Sequence, residues 1–132
     1  MTIWLKKILR WNHIPAFVVM ATLFYLSSRE GGDTPWLHPP MDKVIHWFAY
    51  FWLGMSFCIC IRHARWMRSR IGYGLLVVAF VAAFGVSDEF HQGFVPGRQV
   101  SLGDWAADLA GGVTAVILFL ATRAHRLTQK II

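Results

Sequence analysis

Charge is scarce in this sequence, and cysteine is scarcer. Only 15% of the 132 residues are charged, against 56% hydrophobic, and charge is almost absent from four long apolar runs. That pattern excludes an ordinary soluble domain, whose helices carry charge every few positions along their wet face. The two cysteines, Cys58 and Cys60, stand too close on one helix to pair with each other. They read as small buried residues rather than as a disulfide or a metal site. No Gly-rich phosphate loop follows a strand, and no strand is predicted at all, which argues against nucleotides. Linkers and low-complexity segments are also missing, and the length allows one domain, across residues 1–132.

What is present is an all-α pattern of four candidate membrane spans, at residues 11–26, 43–61, 71–87 and 104–121. Each is short for a hydrocarbon layer of ~30 Å. Seven Trp and ten Phe suit a membrane protein, since Trp prefers the headgroup level. Lys6, Lys7 and Arg10 before the first run would also describe a signal peptide. Leu26-Ser27-Ser28-Arg29 lacks small-residue cleavage chemistry, however, so a retained helix is expected. Four short helices make a thin bundle, and a homo-oligomer stays open.

Orientation follows from the basic residues. Lys6, Lys7, Arg10, Arg62, Arg65, Arg68, Arg70, Arg123, Arg126 and Lys130 fall on one side, leaving Arg29, Lys43 and Arg98 on the other. The positive-inside rule then puts both termini in the cytoplasm. Every acidic residue, from Glu30 and Asp33 to Asp42, Asp88, Glu89, Asp104 and Asp108, falls on the external side. The net charge of +6 is therefore a topology and lipid-headgroup signal, and no nucleic-acid partner is expected.

The polar residues gather in one layer. Asp42 and Asp104 are expected to start the second and fourth helices as caps. His46 and Asp108 lie one turn further in, ~6 Å deeper on the same faces. Ser87, Asp88 and Glu89 close the third helix from that side, where the dipole disfavours carboxylates, and Ser27 and Ser28 end the first. Ionisable groups inside a membrane cost on the order of 2.5–3.5 kcal/mol at its centre and usually face a bundle interior or a wet cavity. Small residues at four-residue spacing, Ala107, Gly111 and Ala115 on the fourth helix and Ala79 and Ala83 on the third, predict close helix contacts. His13, His63 and His125 are expected to be merely interfacial.

Phe24-Tyr25-Leu26-Ser27-Ser28, Asp42-Lys43-Val44-Ile45-His46 with Tyr50, and Ser87-Asp88-Glu89-Phe90-His91-Gln92 occur in that order. Phe94-Val95-Pro96-Gly97-Arg98 follows, then Ser101, Asp104, Asp108 and Gly111. This succession resembles the VanZ-like membrane proteins across nearly the whole chain. Two positions depart from it: Asp108, where the family often has Asn, and Ala115, where a second Gly is common. Asp for Asn keeps the size but adds a charge and removes two donors. The resemblance implies a multi-pass protein of the bacterial cytoplasmic (inner) membrane. The family takes its name from a member that gives low-level resistance to the glycopeptide teicoplanin.

These residues support a binding module first. An external cavity lined by Ser27, Lys43, His46, Tyr50, Asp88, Glu89, Gln92, Arg98, Asp104 and Asp108 would take the polar head of an amphiphile, a membrane lipid or a lipid-linked envelope intermediate. Arg98 is the natural contact for a phosphate or carboxylate. The rival is a membrane enzyme on a lipid-linked cell-envelope substrate, with Glu89 or Asp88 beside His46 or His91 as acid and base. The same groups suit a divalent cation. No nucleophile–base pair or established metal spacing is present, however, and no metal or cofactor is expected. A proton pathway ranks last, because the cytoplasmic halves of the spans are apolar.

Overall fold

The computed structural model of the chain describes residues 11–31, 40–62 and 69–128. Lys6, Lys7, Arg10, Asp33, His63, Arg65, Arg68 and Lys130 lie outside the described residues, as do the side chains of His125 and Arg126. A single 3-10 turn, Trp11–His13, leads into α1 (Ile14–Ser27), with a proline in its first turn. α2 (Met41–Ile61), α3 (Arg70–Gln92) and α4 (Leu102–Thr128) follow. The chain is all-α, and α2, α3 and α4 are each long and apolar enough to cross a membrane. At 14 residues α1 is shorter, rising only ~21 Å at 1.5 Å per residue.

The expected start and stop positions shift in physically telling ways. Asp42 and Asp104 are not caps. α2 follows Pro40, which makes no side-chain cap bond, so Asp42 sits within the first turn. For α4, Ser101 is the cap: its Oγ accepts from the Asp104 amide at 3.2 Å. The third helix runs on past Ser87 to Gln92, stopping where Gly93 folds its amide back onto the Glu89 carbonyl at 3.1 Å. Asp88 and Glu89 thus lie inside α3.

Consecutive helices run antiparallel, as short connections require. Phe57 of α2 stacks on Phe80 of α3 with ring centroids 3.9 Å apart, and Tyr73 stacks on Phe119 of α4 at 5.8 Å. α2 and α4 therefore point the same way, and they form the most extensive pairing in the bundle. Their register is tight: Lys43 meets Asp104, His46 meets Asp108, and Gly54 meets Ala115. Glycine makes this approach possible. A Cβ on Gly111 would collide with the Trp47 carbonyl and lie 2.8 Å from the Phe51 amide nitrogen; one on Gly112 would meet Val81 of α3 at 2.7 Å. The small-residue stripe predicted on the fourth helix is thus in place at Gly111 and Ala115. On the third helix Ala79 and Ala83 are exposed, and Gly74, Val77, Val81 and Gly85 face inward instead. Side chains such as Phe17, Val18, Ile71 and Leu75 cover the outside of the bundle, as they should in lipid.

A buried core that includes Leu53, Cys58, Tyr73, Val77, Val81 and Val116 runs from the middle of the bundle to the end where α2 finishes and α3 begins. Arg62, Arg70 and Arg123 belong to that end by helix direction. The opposite end, where α2 and α4 begin, holds the acidic residues among those described.

Candidate functional site

At the polar end two ion-paired rungs join α2 to α4. Lys43 Nζ donates to Asp104 Oδ1 at 2.7 Å and to Asp42 Oδ2 at 3.1 Å. One turn deeper, His46 Nδ1 donates to Asp108 Oδ1 at 2.9 Å, while its Nε2 lies 4.0 Å from Asp104 Oδ2. The spacing of four residues on each helix delivers both rungs to one interface. Asp108 is fully buried, and Gly85 of α3 makes room for it: a Cβ there would stand 3.0 Å from Asp108 Oδ2.

α3 contributes two carboxyls that face different neighbours. Asp88 accepts from Gln92 Nε2 at 3.0 Å, a contact one turn apart that helps hold the last turn of the helix. Glu89 Oε2 accepts from the Ser101 backbone amide at 2.7 Å. Serine followed three residues later by an acid ordinarily closes a capping box, the acid reaching back to the serine amide. Here Glu89 takes that amide, and Asp104 is left to pair with Lys43.

Arg98 ties this end to α1. Its Nε donates to the Arg29 carbonyl at 3.0 Å and one Nη to the Leu26 carbonyl at 2.9 Å, satisfying carbonyls in and just beyond the last turn of α1. The Gly31 amide donates to the Pro96 carbonyl at 3.2 Å, and a Cβ on Gly31 would collide with the carbonyl of Gly97. Gly97 has φ 76°, a conformation glycine adopts freely. These contacts pin the loop after α3 over the ion pairs.

Three neighbouring spaces result. A polar cavity of about 370 Å³ is lined by Asp42, Lys43, His46, Gln92, Arg98, Gln99, Ser101 and Asp104, with Gly31 and Gly97 at its rim. A smaller one of about 70 Å³ shares His46, Gln92 and Arg98 with it and adds Ser27, Tyr50 and Asp88. The third is an apolar groove of about 500 Å³ between Val86, Phe90, Phe94, Val100, Leu102 and Trp105, reaching Glu89 and Ser101. Ser101 lines both the polar cavity and the groove.

All ten residues expected at the site line one of these spaces, except Asp108, which lies directly beneath His46. His91 does not join Glu89. It hydrogen-bonds Ser28 at 2.9 Å and packs on Phe24, ring centroids 4.6 Å apart, facing α1. Sequence reasoning missed Gln99 as a lining residue and the role of the Ser101 amide. The serine-to-acid spacing was visible, but not that Glu89 would intercept the amide. His13 is also more than interfacial, since its Nδ1 lies 2.8 Å from Cys60 Sγ at the far end of the bundle. Among the described residues, one metal-compatible grouping occurs, His46, Glu89 and Asp108, whose ligand atoms lie within 4.8 Å of one another.

A comparison with known families matches the chain to the VanZ/LLP1 model over residues 4–123. The chain belongs to the VanZ/LLP1 family. No curated protein and no solved structure matches it. The VanZ/LLP1 match covers the first three helices and most of the fourth, and takes in every residue of the polar cluster. With its three long apolar helices, this VanZ/LLP1 chain is a membrane protein.

Proposed function

We propose that the polar end is an external-face site that holds the headgroup of an amphiphilic or lipid-linked ligand. One observation carries this reading: Ser101 lines both the polar cavity and the apolar groove, so the two lie side by side. A ligand filling both must have a polar head and an apolar tail. Carboxylates on the cavity wall suit hydroxyl or amine donors in the head, and Phe90, Phe94 and Trp105 suit an acyl chain. In this reading the chain crosses a bacterial cytoplasmic membrane four times with both termini inside. The arginines Arg62, Arg70 and Arg123 at one end and the acids at the other support that orientation. Teicoplanin is itself an acylated glycopeptide, so the resistance associated with the family fits an amphiphile site.

Photo-crosslinking tests the reading. Benzoylphenylalanine in place of Phe94 in the groove should capture a defined amphiphile, and Lys43→Met should abolish capture. The same probe at Phe17, on the outside of α1, should capture bulk lipid in both backgrounds. Identical bulk-lipid products at the two positions would refute the site.

A second reading, a membrane enzyme acting on a lipid-linked envelope substrate, is favoured by the unpartnered oxygens of Glu89 and Asp108 beside His46. These are the groups acid–base chemistry would use. Product release from such a substrate, lost in Glu89→Gln, would select it.

A further inference from the structure

His46, Glu89 and Asp108 come from three different helices and converge at the floor of the polar end. Asp108 has no exposed surface and Glu89 is 5% exposed, yet Asp108 Oδ2 and Glu89 Oε1 have no hydrogen-bond partner. Asp108 Oδ2 packs toward Gly85, one helical turn from Glu89 on the same face of α3, so the two orphaned carboxyls approach each other.

The surrounding charge is lopsided. Asp42, Asp88, Glu89, Asp104 and Asp108 are all buried. Among the described residues, Lys43 and His46 are the cationic groups ion-paired with them, because Arg98 gives its bonds to the backbone of α1. Buried carboxylates in excess of their counter-charges are strongly unfavourable, so the deficit calls for a cation or a proton.

We propose that His46, Glu89 and Asp108 bind one divalent first-row cation of the Zn²⁺ or Mn²⁺ class. One imidazole with two carboxylates suits these ions better than Mg²⁺ or Ca²⁺, which take oxygen ligands. Ligands at roughly 2.0–2.2 Å from such an ion stand about 3–4 Å apart, so small side-chain rotations bring the three into its shell. Three protein ligands leave a coordination position open, as in metal sites that engage a further molecule. If the amphiphile reading holds, that position is available to an oxygen of the headgroup, but the cation site does not depend on it.

The test uses the full chain in detergent, stripped with chelator, reloaded with Zn²⁺ or Mn²⁺ and analysed for metal after gel filtration. One equivalent per chain is expected. Affinity should fall at least about 100-fold in Glu89→Gln and in Asp108→Asn, more than the loss of a mere supporting contact produces. Cys60→Ser should bind as the wild type does, which excludes the His13–Cys60 pair as the source. Pulsed EPR of the Mn²⁺ form should show coupling to an imidazole nitrogen that disappears in His46→Gln. If Asp108→Asn fails to fold, Glu89→Gln still decides, because its amide oxygen can keep the Ser101 bond. Substoichiometric metal on the wild type, or equal loading of Glu89→Gln, would overturn the proposal and assign a proton to the cluster. No lipid enters the assay, so its failure would leave the amphiphile reading standing.

Discussion

Around Tyr73, Cys58 and Val116 the buried polar groups have partners: Tyr73 donates to the Cys58 carbonyl, and Ser56 donates to the Leu53 carbonyl at 2.8 Å. Around Asp108, at the other end of the same helices, the buried Ser27 Oγ, Asp42 Oδ1, Tyr50 Oη, Glu89 Oε1 and Asp108 Oδ2 have none. Folding alone favours the first arrangement, because an orphaned buried polar atom costs about 1–3 kcal/mol. The second persists only if packing elsewhere supports it, which is the usual relation between a scaffold and a functional site. Stability in this bundle comes from glycine-mediated contact and the buried apolar core, and among the described residues unmet chemistry is confined to one end.

Substitutions can break that contrast from either side. The largest effect is expected from Gly111→Ala, whose new methyl would meet the Trp47 carbonyl and part α2 from α4. A loss of about 3 kcal/mol is expected in reversible unfolding from mixed micelles, with ligand and ion pairs lost together. Leu53→Ala, at a site with no exposed surface, should cost about 2 kcal/mol through the cavity it leaves. It should leave the polar end working.

Asp108→Asn should sharpen the comparison, because it removes one carboxylate from a buried excess of them, and a neutral His46 can still hydrogen-bond the amide. His46 is only partly buried, so the same unfolding assay should register a gain or loss within about 1 kcal/mol while binding at the polar end disappears. Smallest of all, Ala83→Leu on the exposed face of α3 should change stability by less than about 0.5 kcal/mol and leave binding intact. A large penalty there would mean that this face is covered by another chain.

The sequence carried the ends of this comparison better than their joinery. Apolar runs and the clustering of acids gave away the helices and their polar end, because both are composition signals. The four-residue steps from Asp42 to His46 and from Asp104 to Asp108 also anticipated a shared layer, since helical periodicity is local. The extension of α3 to Gln92 was hidden. Carboxylates near a helix end look like a stop, and the contacts that offset the dipole come from Gln92 and from the amide of Ser101 in another segment. Likewise, Ala79 and Ala83 have the spacing of a helix contact but face outward, while Gly54, Gly85 and Gly112 make the real ones. Spacing shows which residues share a face and not which face meets a neighbour. His46, Glu89 and Asp108 were expected around one cavity, but their approach to within 4.8 Å of one another was beyond reach, as each comes from a different helix.

The central claim, that the polar end holds an amphiphile, is tested most directly by native mass spectrometry of protein released gently from its membrane. Wild type would be compared with Glu89→Gln and Lys43→Met. The account predicts a defined lipid or glycolipid on the wild type, absent from both variants while each remains folded. The same molecule retained equally by all three would contradict it.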